Sequence, residues 1–389
     1  MRWSEQQAVD SIYMACYVRR SNRHFSEKSR RLPARYLVSL RSTFQDTFFP
    51  KESPMKIDIF CHIFPQNFHD RMRKLPESGI KMRSLGVPAM VDLDIRFRMM
   101  DRFGDYVQVI SLASPPIEAC GDAKHSPELA EIANDGLAEL VQKHPDRFPA
   151  FVAGLPMNNP KAAVEEIERA VMKLGATGVQ FFSNVNGKPL DDPEFLPIFE
   201  KMAEVNLPIW LHPTRGAGFP DYQTEKKSKF ELWWVFGWPY ETSVAMARIM
   251  FAGYFDRFPN LKIISHHLGA MIPYFSGRTG PGLDQLGART PDEDLTVYSR
   301  RLKKRPQEYF KMFYADTATF GSRAAMQCGL DFFGADQVLF ASDSPFDPEK
   351  GPGYIRETIR CLEELPISAE DRAKIYEGNA RKLLRLKLA

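Results

Sequence analysis

The chain has 389 residues, 44% hydrophobic and 26% charged, with 24 Gly, 29 Pro and 5 Cys, an ordinary globular composition that excludes collagen-like, low-complexity and disulfide-stapled proteins. Cys16, Cys61, Cys120, Cys328 and Cys361 are far apart and form no C-x-x-C pair, so no cysteine zinc site is indicated and a reducing, cytoplasmic setting is expected. The net charge of +3 combines +5 from residues 1–54, which hold 10 Lys+Arg against 5 Asp+Glu, with −2 from the rest; the remainder offers no basic stripe for nucleic acid and no apolar run near the roughly 18 residues of a membrane span.

In chain order, residues 1–54 come first. Their Arg19-Arg20 and Arg30-Arg31 pairs fit an organellar transit peptide, but five acids count against one, and a secretory apolar core is lacking. Met55 opens the first run with structural periodicity. Residues 1–54 are therefore read as a poorly ordered extension or as lying before the native start, and 55–389 as the folded domain.

From Met55 onward, eight short runs rich in Val, Ile, Phe and Leu alternate with amphipathic stretches. They span 56–62, 106–112, 148–155, 177–183, 207–213, 262–268, 312–317 and 337–343. Eight βα units close a (β/α)8 TIM barrel of class α/β with a parallel sheet. Helices are expected over 127–143, 160–174 and 353–365, the first two with Pro in the first turn. Two connections, 214–239 and 269–310, are too long for simple turns. The first is dense in aromatics, including Phe219, Trp233, Trp234 and Trp238, which favours a lid or a subunit contact over disorder; a plain cover for a barrel end is the alternative.

Reactive groups of such barrels project from the C-terminal ends of strands. The polar residues there are His62 on the first strand, His212 on the fifth, His266 and His267 on the sixth and Asp343 on the eighth. Imidazoles and a carboxylate converging from separate strands form a typical site for Zn2+ or Mn2+, with positions left for water or substrate. A single strand-end histidine more often makes a loop hydrogen bond, and Asp343 also suits a helix cap. As neighbours on a strand, His266 and His267 point to opposite faces, and periodicity leaves open which faces inward. No G-x-G-x-x-G follows a strand, and no P-loop or G-x-S-x-G elbow is present, so neither a nucleotide cofactor nor a serine nucleophile is implied.

Several motifs together resemble the aminocarboxymuconate semialdehyde decarboxylase family of amidohydrolase-related proteins, over roughly residues 55–387. These are Leu211-His212-Pro213, Trp238-Pro239-Tyr240-Glu241-Thr242, the stretch Gly253 to Pro259, His267-Leu268-Gly269 with Pro273 and Gly277-Arg278, and Ser342-Asp343-Ser344-Pro345-Phe346. The resemblance implies a metal held by His62, His212 and Asp343, with His267 as general acid/base. It selects His267 as the inward residue and leaves His266 to pack or hydrogen-bond outside the barrel. It makes Arg278, reaching across a homodimer interface, and Arg215 candidates for binding a substrate carboxylate.

The sequence departs from the family at the first strand, usually Asp-x-His-x-His, where Phe60 takes the first ligand position. Residues 58, 60 and 62 share a strand face, so Cys61 is no ready substitute. The implied activity is a metal-dependent, non-oxidative decarboxylation of a small salicylate-like or dienoic carboxylic acid, in which Asp343 both binds the metal and protonates carbon. A hydrolase or hydratase on the same site is the nearest alternative. A barrel kept only for binding is the third, with Phe60 as its sole support.

Overall fold

The computed structural model describes residues 54–75 and 79–388; the expected extension falls outside them apart from Pro54. Pro54–Ala389 forms one compact unit. All eight expected runs contribute parallel strands: β1 Lys56–His62, β2 Tyr106–Ser111, β3 split into Ala150–Phe151 and Ala153–Gly154, β4 Val179–Phe182, β5 Ile209–His212, β6 Ile263–Ser265, β7 Tyr314–Asp316 and β8 Val338–Leu339. Neighbours pair in parallel from β1 to β2 to β3 and from β3 through β8. The barrel closes where Ile59 N–H donates to Phe340 O (3.0 Å) and His62 N–H to Ser344 O (2.8 Å).

Strand alternation divides the core into two layers. Ile57, Ile59, Phe60, Val109, Trp210, Ile264 and Leu339 fill the barrel interior, while a larger cluster packs the outer strand faces against the helices. Trp210 Nε1 donates across the interior to Ile59 O (2.9 Å). Gly178 makes room for that indole, since a Cβ there would lie 2.5 Å from the Trp210 ring.

The outer helices follow from local sequence. Ser126–Lys143 and Pro160–Met172 begin with Pro in the first turn, and Asn159 caps the second by accepting from Ala162 N–H, as helix starts prefer. In the first of these, Leu129, Ala130, Ala133 and Leu137 are buried, one apolar stripe at helical spacing. The long connections contain helices Leu232–Val235 after β5 and Ser276–Asp284, Thr296–Arg301 and Pro306–Phe310 after β6.

One expectation about β1 fails. The pairing of β1 with β2 shifts register between Asp58 and Cys61, a bulge that interrupts simple alternation. Asp58 and Cys61 therefore both meet Tyr106 OH, at 2.7 and 3.8 Å, while Phe60 and His62 face inward. The Asp58 side belongs to a buried polar network in which Tyr106 accepts from Gln108 and Gln108 accepts from Arg96 Nε. Arg96 Nη1 also donates to His62 O (2.8 Å) and Ala89 O (2.9 Å), tying the end of β1 in place.

Candidate active site

His62, His212, His266, His267 and Asp343 meet at the C-terminal mouth of the barrel. His62 Nε2 lies 3.2 Å and His266 Nε2 3.5 Å from Asp343 Oδ1, and His267 Nε2 lies 3.8 Å from Asp343 Oδ2. The ligand atoms of His62, His212 and His266 fall within 4.8 Å of one another, as do those of His266, His267 and Asp343.

The placement of His266 overturns the expectation that it packs outside the barrel. Strand β6 ends at Ser265, so alternation no longer governs the next two side chains, and His267 and Leu268 turn into the left-handed region at φ 57° and 54°. Both imidazoles swing to the centre and stack, 3.8 Å between centroids. On its other face His266 stacks on Phe60, again at 3.8 Å and with planes 10° apart. Asp343 is itself left-handed, at φ 63°, a backbone state that concentrates at functional sites.

Each imidazole is held by its Nδ1. His62 Nδ1 is 2.9 Å from Leu112 O, His212 Nδ1 2.7 Å from Pro213 O, and His266 Nδ1 2.5 Å from Asp316 Oδ2. Asp316 is steadied by backbone N–H groups of Leu268 and Ala318. The Nε2 atoms of His62 and His266 are buried without a hydrogen-bond partner, although each is near Asp343. An unpaired buried polar atom costs about 1–3 kcal/mol, which a cation seated among these donors would relieve. The donor set, imidazole nitrogens with one carboxylate, fits Zn2+ or Mn2+.

Charges in the cluster are strongly coupled. Burial lowers the His266 pKa, but Asp316 and then Asp343 outweigh it and push it up to about 9. Burial, followed by repulsion from His266, depresses His267, and burial with His266 and His62 holds His212 well below the usual range. Burial would raise Asp343, yet the imidazoles of His266, His267 and His62 gathered around its carboxylate keep it well below the usual range.

Above this floor is a cavity of about 420 Å3, walled by Trp233, Trp234, Trp238, Phe320, Phe346 and Tyr354, with His212, His267 and Asp343 at its base. That size suits a small organic ligand. The aromatic connection after β5 thus lines the cavity through its three tryptophans. Arg83 is the one Lys or Arg on the cavity wall among the described residues. Its guanidinium lies 5.4 Å from the Trp234 ring and donates to Phe346 O (2.9 Å). Arg215 instead pairs with Glu241 (2.7 Å) beneath Phe219, and Arg278 is exposed on the helix Ser276–Asp284; neither lines the cavity of this chain.

Sequence reasoning passed over Arg83 and Asp316. Asp316 sits in the seventh apolar run and was open to the same strand-end test as Asp343, whereas Arg83 lies on a surface helix with no motif around it.

The general amidohydrolase family model matches residues 57–386. The chain belongs to the amidohydrolase family. Among its amidohydrolase relatives, a gamma-resorcylate decarboxylase of Polaromonas is 35% identical over 306 residues, covering 75% of this chain and 87% of the relative. A 2-amino-3-carboxymuconate-6-semialdehyde decarboxylase of Dictyostelium discoideum is 29% identical over 350 residues, covering 85% and 92%. A solved structure of a dihydroxybenzoic acid decarboxylase from Polaromonas, with bound manganese and the inhibitor 2-nitroresorcinol, superimposes with a TM-score of 0.67 at 29% identity, covering 86% of this chain and 98% of that one. All three are decarboxylases by name, in line with the family resemblance in the motifs.

Proposed function

We propose that this chain is a metal-dependent, non-oxidative decarboxylase of a small aromatic, salicylate-like or dienoic carboxylic acid. One observation carries the reading: imidazole nitrogens and Asp343 converge on the floor of an aromatic-walled cavity that has a cation, Arg83, on its wall.

His62, His212 and Asp343 would hold the ion. When bound, a divalent cation supplies Lewis acidity that takes up negative charge on substrate oxygens as the C–C bond breaks. The surrounding aromatics accept the ring and exclude water. Arg83 holds a substrate oxygen at the cavity wall, in the role first expected of Arg278 and Arg215.

His267 and Asp343 handle the proton. With its pKa depressed by burial and His266, His267 is a base at neutral pH, and ionised Asp343 lies 3.8 Å away. His267 takes a proton from the substrate's own acidic hydroxyl or from water, and that proton, passed through the neighbouring Asp343 to the carbon bearing the carboxylate, is bonded by a ring or diene electron pair. The C–C pair then restores the conjugated system as carbon dioxide leaves.

The domain carrying this activity is 55–389, and a cytoplasmic setting is supported by free Cys61, Cys120, Cys328 and Cys361. No helix among the described residues is long and apolar enough to cross a membrane. A homodimer belongs to the same proposal, since exposed Arg278 has no side-chain partner within the described chain and would be free to reach a second copy's cavity.

The test is carbon dioxide release from a panel of salicylate-like and dienoic acids by manganese-loaded protein expressed from Met55, beside Asp343→Asn and His267→Asn. Metal-dependent release, lost in both variants, is expected. Turnover without carbon dioxide would assign a hydrolase or hydratase, and no turnover with any acid would leave a binding barrel.

A further inference from the structure

We propose that His266, aimed by Asp316, supplies the metal ligand that β1 lacks because Phe60 occupies its place. This rests on the reading above that the chain holds a divalent cation, and it enlarges the donor set to His62, His212, His266 and Asp343.

The first support is position. His266 Nε2 and His62 Nε2 flank the same oxygen, Asp343 Oδ1, at 3.5 and 3.2 Å. Donors bound to one ion at about 2.0–2.2 Å lie about 3.0–3.5 Å from each other. These two separations are those of neighbours around a common centre, and His212 completes a group within 4.8 Å.

Orientation is the second. His266 Nδ1 is committed to Asp316 Oδ2, leaving Nε2 buried and unpaired. A histidine whose far nitrogen is held by a carboxylate is the usual way a metal-binding imidazole is fixed in tautomer and direction. His62 and His212 follow the same rule with backbone carbonyls. His267 does not: its Nδ1 is the unpaired atom, and it lines the cavity, which suits contact with substrate.

Phe60 gives the third. Its ring cannot bind a cation, but it lies flat against His266 and fixes the plane in which Nε2 points. A side chain that removes one ligand thereby positions another. Asp316 acts through His266 and is a positioning residue.

The full-length chain is stripped of metal and titrated with Mn2+, free ion being followed by electron paramagnetic resonance. The wild type should bind one Mn2+ per chain. A folded His266→Asn variant should bind at least tenfold more weakly and Asp316→Asn about 10–100-fold more weakly, while adding Phe60→His to His266→Asn should recover part of the loss. A crystal structure of the manganese-loaded wild type, with the ion placed by anomalous scattering, requires no variant and should show His266 Nε2 bound. Unchanged affinity in folded His266→Asn, or an ion whose only imidazole neighbours are His62 and His212, overturns the inference and leaves the metal-dependent reading standing. A wild type that binds no Mn2+ overturns both.

Discussion

The Phe60 ring lies on the His266 imidazole with centroids 3.8 Å apart and planes 10° from parallel. His267 covers the opposite face at the same distance, so His266 is the middle member of a three-ring stack. With the His266 pKa pushed up to about 9 against the opposing effect of burial, Phe60 faces an imidazolium when the site is metal-free, a favourable cation–π contact.

Phe60→Ala should therefore cost more than an ordinary surface change. Phe60 is fully buried in the barrel interior, and loss of such a ring costs about 3–5 kcal/mol through lost transfer energy and the cavity left behind. Urea unfolding of the variant should show a lower midpoint at an unchanged slope. A loss under 1 kcal/mol would mean that the neighbouring rings collapse into the space.

Arg83→Met keeps the apolar stem and removes the charge from the cavity wall. A charge-assisted hydrogen bond to a carboxylate contributes about 1.5–3 kcal/mol, so KM should rise about 10–100-fold with a smaller change in kcat. Steady-state kinetics on the best acid found decides this, and an unchanged KM would return the role to Arg215 or Arg278.

Arg96→Met should destabilise the barrel by at least about 3 kcal/mol, since each of three buried acceptors left without its donor costs about 1–3 kcal/mol. The carbonyls of His62 and Ala89 and the Gln108 amide oxygen all lose their donor. Thermal melts should show the drop. Metal affinity should fall as well, because Arg96 fixes the backbone of His62.

Glu118 gives a pH dependence away from the mouth. It is 4% exposed, its Oε1 has no partner, and burial raises its pKa from 4.5 to about 8. As pH rises through 4.5 the unfolded chain ionises while the folded one keeps its proton. Stability contributed by this group thus falls between pH 4.5 and 8 and is level above, a loss on the order of 5 kcal/mol. Glu118→Gln should flatten that slope and be more stable than the wild type at pH 8, measured by urea unfolding across the range. A parallel pH profile for the two proteins would show that Glu118 is already ionised when folded.

The barrel was readable in the sequence because each strand is an apolar run separated by helix-length amphipathic segments, and His62, His212, His267 and Asp343 were readable because they end those runs. His266 was misplaced by carrying strand alternation past Ser265, where the strand has stopped and the backbone turns left-handed. The shared face of residues 58, 60 and 62 failed for a related reason, a bulge that no residue type announces. Arg83 was invisible because long-range packing, not spacing, brings its helix to the cavity.

The three imidazoles with committed Nδ1 atoms are not equally protected against change. His62 and His212 are aimed by peptide carbonyls of Leu112 and Pro213, groups that persist whatever side chain occupies those positions. His266 is aimed by the carboxylate of Asp316, which a single base change can abolish. Inherited variation, or deliberate engineering, can therefore retune one member of this cluster at position 316 while the other two stay where the main chain puts them.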